Sequence, residues 1–334
     1  MSTKCRVSTR RRVSKRRGLS KRRKAIAALS MWLVTIGAAP AVAAGTAGAG
    51  AQRGLWVGAA ANRPTASGVD ASLAVFDDAN AAVGPLRYRR CFNPTLPATH
   101  QTSCARDDWS HGYRSFVSWK PPQLDFAGTA AGAYDKQIEA WATSVPTHIG
   151  LYATVWHEPE NDLTGAQYVA MYQRVFAVVK AANPSISFGP VYMSYWWREG
   201  SSHYAPGGPN AWWVWSRYAD FVAVDTYSPN PTPLRDDPDF QGWLRFVNAK
   251  APDRPLIVAE YGQYVVKPGT SPDPAKLARR ARVIEADETY LRSMRFTMWL
   301  YWDGVGAQGD WRLMDSVSQA AWREVASNGR SGSA

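Results

Sequence analysis

Acidic side chains are missing from the start of this 334-residue chain: between Met1 and Ala43 there are twelve Lys or Arg and no Asp or Glu. Without those twelve, 27 basic residues face 27 acidic ones. The net charge of +12 is therefore local, and it does not make the chain as a whole a nucleic-acid binder. Cysteine is scarce, with three residues; Cys5 lies in the basic segment, which leaves Cys91 and Cys104. The five histidines are scattered, and H-E-x-x-H is absent because Asn161 stands where the second His would be. No metal and no cofactor is expected. No Gly-rich phosphate turn follows the first apolar run, which argues against nucleotide binding. The apolar run at Ala25–Ala39 is too short and too rich in alanine for a good membrane span.

What the N-terminus does have is an order of segments. Lys4 to Lys24 is basic, Ala25 to Ala39 is apolar, and Ala41-Val42-Ala43 is small, as in a secretory signal peptide. Its several arginine pairs leave both the general and the twin-arginine export routes open. Residues 1–43 are expected to be removed and the protein to act outside the cell. In an exported chain, Cys91 and Cys104 are expected to form a disulfide. Residues 44–52 read as a flexible lead-in, 53–328 as one catalytic domain, and 329–334 as a tail.

Within 53–328, apolar β-type runs recur every thirty to forty residues: Leu55–Gly58, Leu86–Phe92, Ser115–Trp119, Ile149–Trp156, Ser185–Val191, Phe221–Tyr227, Leu256–Tyr261 and Phe296–Tyr301. Continuous apolar runs suit parallel strands covered on both faces. Helical spacing is clearest over Thr164–Ala182, where Tyr168, Met171, Tyr172, Val175 and Val179 share a face and Asn183-Pro184 ends the pattern. Tyr134–Ser144 and Pro274–Met294 read as helices too. Eight strand–helix units imply an α/β fold, the (β/α)8 TIM barrel.

Active sites of such barrels lie at the C-terminal ends of the strands. Glu158 follows the fourth run, and Glu260 closes the seventh, after Ile257-Val258-Ala259. A carboxylate at the end of an apolar strand is costly unless paired or functional. Two carboxyl groups facing each other across the mouth suit glycoside hydrolysis, where one protonates the leaving oxygen and the other attacks the anomeric carbon. Glu160 is the alternative acid. Sixteen tryptophans fit stacking platforms for sugar rings as well as core packing, and adjacent ones, as in Tyr195-Trp196-Trp197, cannot all face inward.

These motifs resemble the glycoside hydrolases of clan A, which carry the acid/base Glu after strand four, commonly as Asn-Glu-Pro, and the nucleophile Glu after strand seven. His157-Glu158-Pro159 and Glu260-Tyr261-Gly262 resemble family 26 in particular, which includes β-mannanases. The resemblance implies Glu158 as acid/base and Glu260 as nucleophile, with Tyr227 hydrogen-bonded to the nucleophile and Trp299 or Trp302 as sugar platform. His157, in the place of the usual Asn, is expected to bind the sugar 2-hydroxyl, and Trp119 and Trp196 to line further substrate positions. Glu160-Asn161-Asp162 departs from the family, which usually has Asn two residues after the acid followed by an aromatic run. The expected activity is retaining hydrolysis of a β-linked polysaccharide, mannan or mixed-linkage β-glucan. The rival is a carbohydrate-binding barrel that has lost turnover. A polysaccharide is the expected partner of a monomeric chain, with no nucleic acid and, once the leader is removed, no membrane.

Overall fold

The computed structural model describes residues 54–201, 204 and 207–329. The expected leader 1–43, the lead-in 44–52 and residues 330–334 lie outside them.

Eight parallel strands form the centre: β1 Trp56–Ala61, β2 Tyr88–Asn93, β3 Arg114–Trp119, β4 Tyr152–Val155, β5 in two pieces, Ser187–Phe188 and Val191–Met193, β6 Val222–Ser228, β7 Leu256–Gln263 and β8 Phe296–Asp303. β4 pairs with the first piece of β5 and β6 with the second, while β1 pairs with both β2 and β8. The ring is thereby closed, and the fold is the expected α/β barrel. The break in β5 falls at Gly189-Pro190. A Cβ on Gly189 would lie 2.4 Å from the Phe221 carbonyl oxygen, so the close approach of the neighbouring strand requires glycine.

Helices α1 Leu73–Val83, α2 Phe126–Ala130, α3 Asp135–Ser144, α4 Gly165–Ala182, α5 Pro238–Lys250, α6 Pro274–Ser293 and α7 Ser316–Ser327 accompany the strands. α4 starts at a capping box, with the Gln167 amide donating to Thr164 Oγ1 and the Thr164 amide to Gln167 Oε1. Two units depart from the eightfold plan. Among the described residues, the connections after β2 and after β5 hold only short 3₁₀ turns, such as His100–Thr102 and Ser194–Trp197.

Alternation along the strands sorts the core into two parts. Tyr88, Phe116, Val191, Phe221, Ala223, Ile257, Ala259, Met298 and Leu300 form one cluster inside the barrel. Their neighbours, such as Val117, Val224, Val258, Trp299 and Tyr301, join the larger cluster packed against the helices.

The helix-free connection after β2 is tied back by the Cys91–Cys104 disulfide, with the Cys104 amide also donating to Asn93 Oδ1 at 2.9 Å. Replacing both cysteines by serine is expected to cost about 3 kcal/mol of stability, read as a lower midpoint in chemical unfolding.

Candidate active site

The site is built on inward-facing residues at the C-terminal ends of the strands. On β6 the alternation that points Ala223 into the barrel continues to Asp225 and Tyr227. On β7 the same rule would send Glu260 outward with Leu256 and Val258. The pairing of β7 with β6 shifts register between Val258 and Glu260. This bulge turns Glu260 into the mouth, where it is 4% exposed. Tyr261 then faces the helices and donates to Asp287 of α6 at 2.7 Å.

Glu158 arrives by a different route. Trp156 and Glu158, on either side of His157, both take left-handed backbone, with φ of 53° and 52°. Such backbone costs about 1–3 kcal/mol per residue and collects at functional sites. Here it is held by three hydrogen bonds: the Trp156 amide to the Trp119 carbonyl at 2.9 Å, Trp156 Nε1 to Asp162 at 2.8 Å, and the Glu158 amide to the Val191 carbonyl at 3.0 Å.

A cavity of about 440 Å³ opens between them, lined by Phe92, His157, Glu158, Met193, Tyr227, Glu260, Trp302, Gln308 and Trp311 among others. The carboxylates of Glu158, Asp225 and Glu260 each offer an oxygen within 4.8 Å of the others. They form the one such group among the described residues, a geometry open to a cation. The charge beside Glu260 is already supplied by Arg90. This guanidinium, with no exposed side-chain surface, lies 3.5 Å from Glu260 Oε1 and is held between the rings of Phe92 and Phe116, each 4.5 Å away. It also donates to Ser118 Oγ at 2.6 Å.

The carboxyl groups have unequal surroundings. Burial raises the Glu260 pKa, while Arg90 and the hydrogen bond donated by the Tyr227 hydroxyl pull it back. Burial, and next the charges of Glu260 and Glu160, push Glu158 well above the usual carboxylate range. Glu260 is thus the group favoured to be ionised and Glu158 the one favoured to hold a proton. Asp225 is fully buried, neither of its oxygens has a hydrogen-bond partner, and burial, then the charges of Glu260 and Glu158, push its pKa well above the usual carboxylate range. Glu160 is 5% exposed and faces away from the cavity, accepting from Trp197 Nε1 at 3.0 Å and from the Met193 amide at 3.4 Å. Burial lifts it to about 8.

The structure gathers Glu158, Glu260, His157, Tyr227 and Trp302 around one cavity. His157 is kept neutral by burial, then by Arg90 and Lys120, and its Nδ1 is buried without a partner. Its ring packs 5.1 Å from Phe92, and the two residues also border a second cavity of about 260 Å³ toward Lys120. Trp299 is not brought to the site. It is fully buried on the outer face of β8, 4.6 Å from Trp322 of α7. Trp119 borders the second cavity, but its ring is 1% exposed and packs on Trp141 of α3. Trp196 lies outside the main cavity and donates to Asn161 at 3.0 Å. Arg90, Phe92 and Trp311 are site residues that sequence reasoning missed. Arg90 shares its parity on β2 with the inward Tyr88, and an arginine inside a β run is a readable anomaly.

Gly262 explains itself in the same geometry. A Cβ there would come within 2.5 Å of the Tyr227 ring and 2.8 Å of Trp311. Gly262→Ala is expected to displace Tyr227 from Glu260 and lower turnover roughly a hundredfold with the fold intact, as checked by kinetics beside circular dichroism.

No protein-family model matches the chain, and no curated protein matches it. Solved structures do. A glucosidase from Croceicoccus marinus aligns with a TM-score of 0.54 at 14% identity, over 83% of this chain and 67% of that one. Fungal β-1,4-galactanases align with a TM-score of 0.55 at 12% identity, over 81% and 99%. The family 26 domain of an endo-β-mannanase/endo-β-glucanase from Prevotella bryantii aligns at 0.52 and 10% identity, over 82% and 88%. The chain shares its fold with glycoside hydrolases. At these identities the likeness is one of fold, and the chemistry rests on the cavity itself.

Proposed function

We propose that the protein is an exported retaining β-glycosidase of the clan A type, close to family 26. The observation that carries this reading is the pair of unequal carboxyl groups, Glu158 and Glu260, with oxygens within 4.8 Å of each other across one cavity. Retaining enzymes hold their two carboxyl groups about 5–5.5 Å apart, whereas inverting ones leave room for a water at about 6.5–9.5 Å. In this reading Glu260, its charge supported by Arg90 and Tyr227, attacks the anomeric carbon. Glu158 gives its proton to the departing oxygen, then takes one from the water that releases the sugar from Glu260. The presence of both Glu158 and Glu260 in one cavity also counts against a barrel that only binds. Export rests on the order of segments in residues 1–43.

For the substrate we propose a β-mannan or mixed-linkage β-glucan. A neutral imidazole offers one donor and one acceptor. His157, larger than the Asn usual in that place, suits the axial 2-hydroxyl of mannose. The test is release of reducing ends from mannan, mixed-linkage glucan, xylan and soluble cellulose, with the anomer formed first read by NMR. Mannan or mixed-linkage glucan should be cleaved with the β-anomer appearing first. Initial release of the α-anomer would overturn the retaining mechanism, and hydrolysis of xylan alone would overturn the substrate.

A further inference from the structure

Asp225 is the buried carboxyl to which the two-glutamate chemistry gives no task. It stands on β6 with no exposed surface, and neither of its oxygens has a hydrogen-bond partner. One of those oxygens lies within 4.8 Å of a carboxyl oxygen of Glu158 and of Glu260. A buried polar group without a partner is costly, so this aspartate weakens the fold rather than supporting it. An unpaired charge in its place would cost more, which favours the protonated form and leaves an O–H free to donate. The charges that bear on it are those of Glu260, Glu158, Arg90 and Glu160. Tyr227, two positions along the same strand, donates to Glu260, and the Arg90 guanidinium lies against that same carboxylate. Both of these donors thus serve the nucleophile.

We infer that Asp225 is a positioning residue for the acid step, whose O–H turns to the Glu158 carboxylate as that carboxylate forms. The inference rests on the reading of Glu158 as acid/base given above. In the first step the bond from the anomeric carbon to the departing oxygen breaks, the Glu158 proton passes to that oxygen, and Glu260 bonds to the carbon. The negative charge thereby leaves Glu260, beside Arg90 and Tyr227, and appears on Glu158. Asp225 lies close to both ends of that transfer and keeps its own proton throughout. In the second step water bonds to the carbon, its proton returns to Glu158, and Glu260 and the Asp225 O–H are released. The turn breaks no existing hydrogen bond, and 4.8 Å is too long for one in the resting site. An interaction made only as the charge moves raises the rate without tightening the binding of substrate. A carboxylic acid kept neutral by an apolar site is suited to such donation.

The test compares kcat/KM on β-1,4-linked manno- and cello-hexasaccharides with that on 2,4-dinitrophenyl β-glycosides of the matching disaccharides, whose leaving group needs no proton. In the full chain, Asp225→Leu, which keeps the branched shape without polar atoms, should lower the ratio of the two roughly ten- to a hundredfold, the loss of one hydrogen bond to a charge. Asp225→Asn, which keeps a donor in place, should recover most of it. Asp225→Ala, read in the same way, serves where the Leu variant does not fold, as judged by circular dichroism. The alkaline limb of kcat/KM on the hexasaccharides should persist in Asp225→Leu and move to higher pH, because a donor to the ionised form of Glu158 has been removed. Equal losses on both substrate types, no loss on the hexasaccharides, or an Asn variant no better than the Leu one would overturn the role of Asp225 while leaving the site intact. So would an alkaline limb that stayed where it was, or one that vanished, which would make Asp225 itself the acid. A wild-type protein that cleaves neither substrate would overturn the reading of the site and this role with it.

Discussion

Glu260→Gln is expected to lower turnover of the best polysaccharide by roughly a thousandfold or more while the chain still binds it. The amide keeps the shape of the side chain, and the Tyr227 hydroxyl retains an acceptor, so folding should be spared. What is lost is the negative charge that Arg90 and Tyr227 support. A smaller residue sharpens the result. In Glu260→Ala, added azide should restore turnover and give the α-glycosyl azide, because the small anion attacks from the face the carboxylate occupied. Azide product of β configuration would give the nucleophile's role to the other carboxyl.

Glu158→Gln is expected to fail in a different pattern. Polysaccharide hydrolysis should fall by roughly a hundred- to ten-thousandfold, the usual contribution of a positioned acid. A dinitrophenyl glycoside, which leaves without a proton, should still react in the first step. The pH profile gives a second readout. The rate needs Glu260 ionised and Glu158 protonated. Burial raises Glu260, so the acid limb should lie above the usual carboxylate range. Burial and the charge of Glu260 raise Glu158 further, so the alkaline limb lies higher still. In Glu158→Gln the alkaline limb should vanish and the acid limb stay. An alkaline limb that persisted, and vanished instead in Glu160→Gln, would move the acid role to Glu160.

The eight apolar runs and their spacing made the barrel readable, because each run must be buried on both faces and each connection must return the chain to the same end. The two glutamates were readable because a charge at the end of an apolar strand demands a reason. Which way each side chain faces was harder to read. In a continuous apolar run, polarity does not mark the alternation. Trp299 and Trp302 look equivalent in the sequence, yet they lie on opposite faces of β8. Met298 and Leu300 share the parity of Trp302, and Trp119 shares that of the outward Val117. Counting by two from one inward residue would have separated them. The bulge before Glu260 breaks that count, and nothing in Ile257-Val258-Ala259 marks it. The grip of Glu160 and Asn161 on the aromatic turn was equally hidden, since it joins residues more than thirty positions apart.

The pairing of β1 carries a consequence for synthesis. Its six residues, Trp56 to Ala61, stand in register with Met298 to Asp303. One flank of the first strand therefore waits for the last strand to be made. Until then the growing sheet has two open parallel edges, one on β1 and one on β7, each a row of unpaired amides and carbonyls ready to pair with another chain. Contacts at such separation in sequence also slow folding. A chain ending before Phe296 would therefore be expected to self-associate through those edges, with both glutamates already in place and no closed mouth to hold them.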